Sequence, residues 1–457
     1  MTMKKHLTLG GGALALSLLA GGALAAISPQ EAEQLGGAKL TPTGAEKAGN
    51  ADGSIPAWTG GLKPGAAPVD NGFLGDPFAS DKALFTITAA NAEQYKDKLT
   101  PGQLALFKRY PDSYKIPVYP SHRSASAPQA VYDAIKKGAT QVELANDGNA
   151  LAHFETRYTP FPIPKSGVEV VWNHEGRYRG TSLERYSAQV VPQVNGDFTA
   201  VGFKESTGFP QFMSDVDPVK SANVLYYYKQ EIIAPARLTG TVNLAYETLD
   251  QIKEPRQAWT YNAGQRRVRR APEVAYDGPG SAADGMRTAD NSDLYNGSPD
   301  RYTWKLIGKR EIYIPYNSYQ LMSPKLKLTD IVRPGHINPE HTRYELHRVW
   351  EVEGTLKPGA RHVYAKRHMY FDEDTWMLAE VDHYDSRGQL WRVAEGHQAN
   401  DYQQGVALYA AQTLYDLIAG RYLAMNLTNE AKRGTQYDMK YSSTDFTPAA
   451  LRNSGIR

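Results

Sequence analysis

The 457-residue chain contains no cysteine. This absence excludes disulfide bonds, thiolate metal sites, a cysteine nucleophile and a lipid-modified N-terminal cysteine. Charged residues make up 22% of the chain and hydrophobic residues 41%, which excludes a disordered chain and an obvious helical membrane protein. After residue 25 there is no run of about 18 or more apolar residues, the length that a membrane-spanning helix needs. The closest, 406–427, is interrupted by Gln412, Asp416 and Arg421, and we predict no transmembrane helix.

The first 25 residues have the organisation of a secretory signal peptide. Lys4 and Lys5 precede an apolar stretch from Leu7 to Leu24, and Ala23-Leu24-Ala25 matches a cleavage site. A retained membrane anchor is the alternative, but no basic flank follows the stretch. Removal of residues 1–25 takes away two lysines and leaves 49 basic and 49 acidic residues. The sequence therefore predicts a periplasmic protein, and its balanced charge does not favour nucleic acid as a partner.

Residues 26–165 are predicted to form a loop-rich and helical region that packs on a sheet. Thr100-Pro101-Gly102-Gln103 is a capping box with proline at the first helical position, so we expect a helix from residue 101. A second helix is expected to begin near Ser126 or Ala127. It is expected to end at Lys136-Lys137-Gly138, because cations and glycine favour a helix C-terminus.

Residues 166–427 are predicted to be mostly antiparallel β-structure. Alternation of apolar and polar residues begins with Val168, Val170 and Trp172. Asn195-Gly196 and Asn262-Ala263-Gly264-Gln265 each separate two alternating runs and indicate hairpins. Further strands are expected over residues 343–354, 361–371, 377–384 and 389–395. Short turns between consecutive strands favour an antiparallel meander, and with the N-terminal helices an α+β fold, over a βαβ series. Residues 428–457 are predicted to be a polar C-terminal tail.

The common catalytic and phosphate-binding motifs are absent from this sequence. There is no G-x-S-x-G elbow, no G-x-x-x-x-G-K-[ST] loop and no H-E-x-x-H. His336, His341 and His347, with Glu340 and Glu345 between them, are metal-binding residue types, but an extended chain places them on different faces. We therefore predict no metal site, no cofactor and no catalytic residue.

The segment from Asp277 to Asp300 is long for a connection and rich in glycine and aspartate. Its acidic residues do not have the spacing of an EF-hand, so a flexible loop is favoured over a calcium site. A connection of this length is typical of a lid or a binding loop.

The most concentrated positive charge is Arg266-Arg267-Val268-Arg269-Arg270. On a strand, Arg267 and Arg269 share one face, where guanidinium groups would contact a phosphate or carboxylate headgroup. A solvated edge strand protected by its charge is the alternative. Trp259 and Tyr261 lie on the preceding predicted strand, so we predict a ligand site formed by Arg267, Arg269, Trp259 and Tyr261.

Several runs of residues resemble a family of long, exported bacterial proteins of unassigned function, described as LolA-like or as outer-membrane lipoprotein-sorting proteins. The resemblance spans nearly the whole mature chain, with one departure at Ala263, where the family more often has proline. The runs that carry the resemblance are Thr41–Glu46, Gly53–Gly61, Pro160–Pro164, Trp172–His174, Tyr261–Pro272, Gly308–Glu311, Pro315–Asn317, Arg343–Trp350 and Gln389–Arg392.

The resemblance implies a strongly curved half-barrel sheet over residues 166–427, with helices covering an apolar concave side. It also implies a periplasmic carrier or binding protein for a lipid, lipoprotein or other hydrophobic molecule, serving outer-membrane or export traffic and not acting as an enzyme. An inner-membrane exporter or an outer-membrane protein is the implied partner. Two alternatives stay open: an envelope hydrolase of lipid or glycan with carboxylates such as Asp372 and Asp374, and an outer-membrane barrel or structural protein.

Overall fold

The computed structural model describes residues 26–155, 157–217, 220–271 and 276–455, so the predicted signal peptide lies outside the described residues. The strands formed by these residues are β1 (Val69–Asp70), β2 (Phe73–Leu74), β3 (Phe85–Ile87), β4 (Ile116–Val118), β5 (Glu143–Ala145), β6 (Ala150–Ala152), β7 (Ser182–Val190), β8 (Val201–Gly208), β9 (Val224–Ala234), β10 (Val242–Thr248), β11 (Gln257–Asn262), β12 (Arg267–Arg270), β13 (Tyr302–Pro315), β14 (Tyr344–Leu356), β15 (Lys366–Asp372), β16 (Leu378–Tyr384), β17 (Leu390–Asp401), β18 (Val406–Asp416), β19 (Arg421–Leu427) and β20 (Gln436–Tyr437). The α-helices are α1 (Pro29–Ala32), α2 (Pro101–Arg109), α3 (Gln129–Gly138), α4 (Gly167–Gly176), α5 (Leu328–Ile331) and α6 (Pro448–Gly455).

One large sheet of 16 strands dominates the described part of the chain. Its order is β12-β11-β10-β9-β8-β7-β19-β18-β17-β16-β15-β14-β4-β3, with β13 also paired to β14 and β20 to β7. The chain therefore forms two meanders, β7–β12 and β13–β19, which join where β7 pairs with β19. All pairs are antiparallel except β4 with β14. The sheet is curved and open, and this confirms the predicted fold class.

Short connections predicted most of the strand order correctly. The β11–β12 hairpin turns at Asn262–Gln265, where Gln265 N donates to Asn262 Oδ1 at 2.9 Å. Asn195-Gly196 lies at the tip of the β7–β8 connection, which is longer than a two-residue turn because β7 ends at Val190 and β8 begins at Val201.

Both helices predicted in the N-terminal region are present. Thr100 Oγ1 accepts from Gln103 N at 3.0 Å, and Gln103 Oε1 accepts from Thr100 N at 3.1 Å, so the capping box at the start of α2 is complete. α3 ends at Gly138, after the two lysines. In the same region β3 and β4 extend the large sheet beyond β14.

The strand predicted from Val168, Val170 and Trp172 is wrong, because these residues lie in α4. Glu169 N donates to Ser166 Oγ at 3.4 Å and caps this helix. Residues of α4 are buried on nearly every side, including polar ones. A helix that is buried all round has no polar face, so its sequence lacks the helical period that distinguishes it from a strand.

Residues 428–455 are polar, and they are packed on the sheet. β20 pairs with β7, and α6 lies against β10, β11 and β12. Leu451 of α6 is fully buried in a cluster with Val242, Leu244 and Tyr261. No helix among the described residues is both long and apolar enough to cross a membrane.

Candidate binding cavity

The concave face of the sheet encloses a cavity of about 520 Å³. Residues of β7–β11 form one wall, and residues of β18 and β19 form another. The residues just after α4 and the segment 278–296 contribute further lining residues. The volume lies within the range of about 300–1,000 Å³ that is typical of small-molecule sites.

The lining is amphipathic, and this corrects the expectation of an apolar concave side. Aromatic and aliphatic side chains line part of it, including Phe203, Tyr226, Tyr228, Leu408 and Tyr409. Among the described residues the lining also includes five arginines and three carboxylates: Arg177, Arg179, Arg185, Arg256, Arg287, Glu205, Glu247 and Asp293. Positive charge is therefore in excess inside the cavity.

Two arginines that follow α4 share a single carboxylate. Asp293 receives Arg177 Nη2 at 2.7 Å on one oxygen and lies 2.7 Å from Arg179 Nη1 through the other. Burial by itself would raise the pKa of Asp293, but the two guanidinium groups outweigh it and hold the pKa well below its usual range. Asp293 is thus ionised and neutralises one of the two cations.

Two other arginines of the lining have a carboxylate partner each. Arg185 Nε donates to Glu205 at 2.8 Å, and Arg256 Nε donates to Glu247 at 2.6 Å. Glu205 also accepts from Ser187 Oγ at 2.9 Å and from the Tyr228 hydroxyl. These partners satisfy Glu205 within the protein, so it has little capacity left for a ligand.

Arg287 differs from the other four arginines. No carboxylate oxygen of the described residues lies within 4.0 Å of its guanidinium group, and its Nε has no hydrogen-bond partner. A single long contact, 3.5 Å from Nη1 to the Thr288 carbonyl, is its only hydrogen bond there. Burial lowers the pKa of Arg287, yet a guanidinium group keeps its proton at neutral pH. The cavity therefore contains a cation that forms no ion pair within 4.0 Å among the described residues, although the charge of Glu205 acts on it from a greater distance.

The segment from residue 277 to 300 is packed, not free. Asp290 lies 2.7 Å from Arg367 Nη2, Asp293 pairs with α4, and Asp284 lies 2.8 Å from Arg421 Nη2. Because each acidic side chain has a different partner, the segment does not gather them around a calcium ion. The expectation of a flexible loop is corrected, while the segment does supply lining residues, as expected of a binding loop.

The four residues predicted to bind a ligand do not come together. Arg269 pairs with Thr260 across the hairpin, and Thr260 lines the cavity, so Arg267 and Arg269 project from the cavity face of the sheet edge. Both are exposed and neither lines the cavity. Trp259 borders the cavity, but its ring packs on Tyr246 at 4.8 Å, and Tyr261 is buried beneath α6. Their role in binding stays a prediction.

The histidines of the stretch 336–347 do not come together, whereas His347 lies near the two aspartates of the hydrolase alternative. His336 contacts Ser113 Oγ at 2.8 Å, whereas His347 Nε2 lies 3.1 Å from Glu345. Asp372 and Asp374 are buried, at 0% and 5% exposure. The histidine stretch as a whole surrounds no common point, but His347 lies beside the two aspartates.

Sequence analysis missed the cavity arginines because they come from distant segments. Arg177, Arg185, Arg256 and Arg287 are separated by up to 110 positions in the sequence, and only the curvature of the sheet brings them together. One signal was available. The length of the segment containing Arg287 predicts a lid or binding loop, but that prediction rests on its length and composition and does not involve the arginine.

The architecture defined by these features is an open antiparallel half-barrel around a charged cavity. The chain belongs to the family described as "Protein of unknown function (DUF1329)", whose model matches residues 86–452. This confirms the family that the sequence resembles.

Known proteins are similar to the chain at two levels. "Uncharacterized protein PA3922" of Pseudomonas aeruginosa is 61% identical over 447 residues, which are 98% of each chain. A solved DUF1329 family protein from Desulfovibrio piger has a TM-score of 0.42 at 15% identity, over 62% of this chain and 97% of that one. The LolA superfamily protein NE2245 from Nitrosomonas europaea has a TM-score of 0.37 at 10% identity, over 62% and 98%.

Proposed function

We propose that the protein is a periplasmic binding protein or carrier for an amphiphile that has an apolar body and an anionic headgroup. The single observation that carries this proposal is Arg287, a cation in the cavity that forms no direct ion pair with a described carboxylate and whose Nε has no hydrogen-bond partner. A carboxylate or phosphate of the ligand would supply the missing partner through charge-assisted hydrogen bonds. The aromatic and aliphatic lining would cover the apolar part.

The need for such a carrier follows from the hydrophobic effect. Exposing a chain of about 16 methylene groups to water costs roughly 0.8 kcal/mol for each, near 13 kcal/mol in all. Free movement of the molecule through an aqueous compartment is therefore strongly suppressed. A cavity that replaces the membrane as solvent removes this barrier without any chemical step, so the proposal does not require an enzyme. The periplasmic location rests on the predicted signal peptide of residues 1–25.

Mass spectrometry of an organic extract tests the proposal first. The mature protein, purified from the periplasm of its own host, is expected to release an amphiphilic anion in near-stoichiometric amount. An extract that contains only bulk membrane lipids, in the proportions of the membrane, would contradict a specific ligand.

Substitution of Arg287 tests the role of the cation directly. The fluorescent fatty acid cis-parinaric acid and its uncharged methyl ester are the probes. We expect Arg287→Gln to weaken binding of the acid by about 10- to 100-fold, the usual value of a hydrogen bond to a charged group. Affinity for the ester should change little, because the ester has no charge to lose.

Two further variants separate the possible headgroup sites. Arg452→Gln, on the exposed side of α6, is the matched control and should leave both affinities unchanged. Arg267→Gln combined with Arg269→Gln tests the exposed pair at the sheet edge. If this double variant loses the acid and Arg287→Gln does not, the headgroup lies at the rim and the assignment to Arg287 is wrong.

A further inference from the structure

Three potential ligand groups meet beneath the start of β14. The imidazole of His347 and the carboxylates of Asp372 and Asp374 each offer one ligand atom, and these atoms lie within 4.8 Å of one another. His347 belongs to β14, Asp372 ends β15, and Asp374 lies in the turn to β16. All three residues are buried.

Asp372 has no lysine or arginine partner among the described residues, unlike the acidic residues that follow it. Its neighbours each have a cation: Asp374 accepts Arg123 Nη2 at 2.6 Å, and Glu373 lies 2.9 Å from Lys309 Nζ. No lysine or arginine of the described residues lies within 4.0 Å of Asp372. One Asp372 oxygen accepts from Thr375 N at 2.9 Å, whereas Oδ1 accepts no hydrogen bond from the described residues.

The separation between His347 and Asp372 fits an ion better than a hydrogen bond. His347 Nδ1 lies 4.0 Å from Asp372 Oδ1, which is too far for a hydrogen bond. Two ligand atoms of a tetrahedral zinc ion with bonds of ~2.0–2.2 Å lie about 3.3–3.6 Å apart, so these two atoms need to approach each other by about half an ångström to share an ion. Asp374 would be the third protein ligand through a free lone pair of an oxygen that also accepts from Arg123, since Nη2 donates to Oδ1 at 2.6 Å and Nε donates to Oδ2 at 2.9 Å.

His347 has the hydrogen-bonding partners that usually orient a metal-binding histidine. His347 Nε2 lies 3.1 Å from Glu345 Oε2, and Arg343 Nε holds that carboxylate at 2.6 Å. A histidine that contacts a carboxylate through one nitrogen presents the other to a metal in a fixed orientation. Arg123 fixes Asp374 in the same way.

The hydroxyl group of Tyr316 is a further unpartnered polar group among the described residues beside the cluster. Tyr316 is 2% exposed, its ring stacks on His347 at 3.9 Å, and its hydroxyl has no hydrogen-bond partner among the described residues. An ion with a bound water would give this hydroxyl a partner. A small pocket of about 50 Å³ borders Asp374 and Thr375.

We propose that His347, Asp372 and Asp374 bind a divalent transition-metal ion, with Glu345 and Arg123 positioning the ligands. One imidazole and two carboxylates suit Zn²⁺ or Mn²⁺ and do not suit Ca²⁺, which takes six or more oxygen ligands. The ion joins β14 to the β15–β16 turn and, through Arg123, to the N-terminal region. Its role is structural, and it is independent of the ligand proposed for the cavity.

The test uses the untagged mature protein stripped with a chelator, with Zn²⁺ as the probe. We expect one ion per chain by calorimetry and elemental analysis, and a higher melting temperature with Zn²⁺ than without it. Asp372→Asn and His347→Gln should abolish this binding, and Glu345→Gln should weaken it by about 10- to 100-fold. His341→Ala, a histidine outside the cluster, is the control and should bind as the wild type does.

Zinc X-ray absorption of the wild-type protein needs no variant. It should show one imidazole and otherwise oxygen ligands, so the proposal stays testable even if a variant fails to fold. Absence of stoichiometric Zn²⁺ and Mn²⁺ binding, or unchanged binding by folded Asp372→Asn and His347→Gln, overturns the proposal. In that case the cluster is held by a proton on His347 instead of a metal ion.

Discussion

Glu175, at the C-terminal end of α4, is a buried carboxyl group beside the cavity arginines. It is 5% exposed, and its Oε1 accepts no hydrogen bond from the described residues. Burial raises the pKa of Glu175 to about 8, although the charge of Arg256 acts in the opposite direction. Near neutral pH the group is therefore mostly protonated in the folded protein and ionised in the unfolded chain.

This difference makes stability depend on pH in a defined direction. Between the ordinary pKa of 4.5 and the folded value of about 8, the folded state holds a proton that the unfolded state has released. The free energy of unfolding therefore falls as pH rises through this interval. We expect Glu175→Gln to reduce the loss between pH 5 and 8 by about 1–3 kcal/mol, since one pKa unit corresponds to ~1.4 kcal/mol.

Denaturant unfolding at several pH values measures the effect. Glu340→Gln, at an exposed position, is the control and should follow the wild-type profile. A Glu175→Gln profile that is parallel to the wild type over pH 5–8 would show that Glu175 ionises normally in the folded protein.

Individual residues also show which features of a site can be predicted from the sequence and which cannot. The sequence indicates His347 as a metal-binding residue type and Asp372 with Asp374 as possible hydrolase carboxylates, but it does not connect the histidine with the two aspartates. Their meeting depends on the pairing of β14 with β15, where Val349 lies opposite Asp372. Residue type is encoded locally, whereas the register that joins distant residues is set by the packing of the whole sheet.

At the scale of elements, α2 depends on an N-cap with two roles. Thr100 is fully buried; its hydroxyl accepts from Gln103 N and donates to Glu380 Oε2 at 2.8 Å. We expect Thr100→Ala to lower stability by about 1–3 kcal/mol, because it removes both a helix cap and a hydrogen bond to a buried carboxyl group. Thr100→Ser keeps the hydroxyl and should lose much less.

The denaturation midpoint and the far-ultraviolet circular dichroism of the two variants check this prediction. Equal midpoints for Thr100→Ala and Thr100→Ser would mean that the methyl group, and not the hydroxyl, holds α2 in place.

The contrast between α2 and α4 explains which elements the sequence predicts. The signals of α2 are local, since a capping box and a proline act within one turn. α4 also has a serine cap, but its burial on every side removes the helical period, and Val168, Val170 and Trp172 then resemble a strand. Capping and periodicity therefore predict a helix that has one exposed face, such as α2, but not a helix that is buried on nearly every side, such as α4.

At the scale of the whole molecule, the cavity lies at the junction of the two meanders. β7 and β19 pair at the centre of the sheet, and residues from both lie in the lining. The second meander is the more deeply buried part, since nearly every residue of β17 and β18 is buried. One edge of the sheet is β12, a four-residue strand whose arginines are exposed. Stability should therefore be unequal across the sheet.

Hydrogen exchange followed by mass spectrometry tests both this gradient and the site of binding. Amides of β17 and β18 should exchange most slowly, and those of β11 and β12 much faster, because edge strands open without global unfolding. Palmitate in excess should slow exchange in β7–β10 and in residues 278–296, which line the cavity. Protection confined to β14–β16 would place the amphiphile outside the cavity, and protection of β12 alone would place it on the exposed arginines.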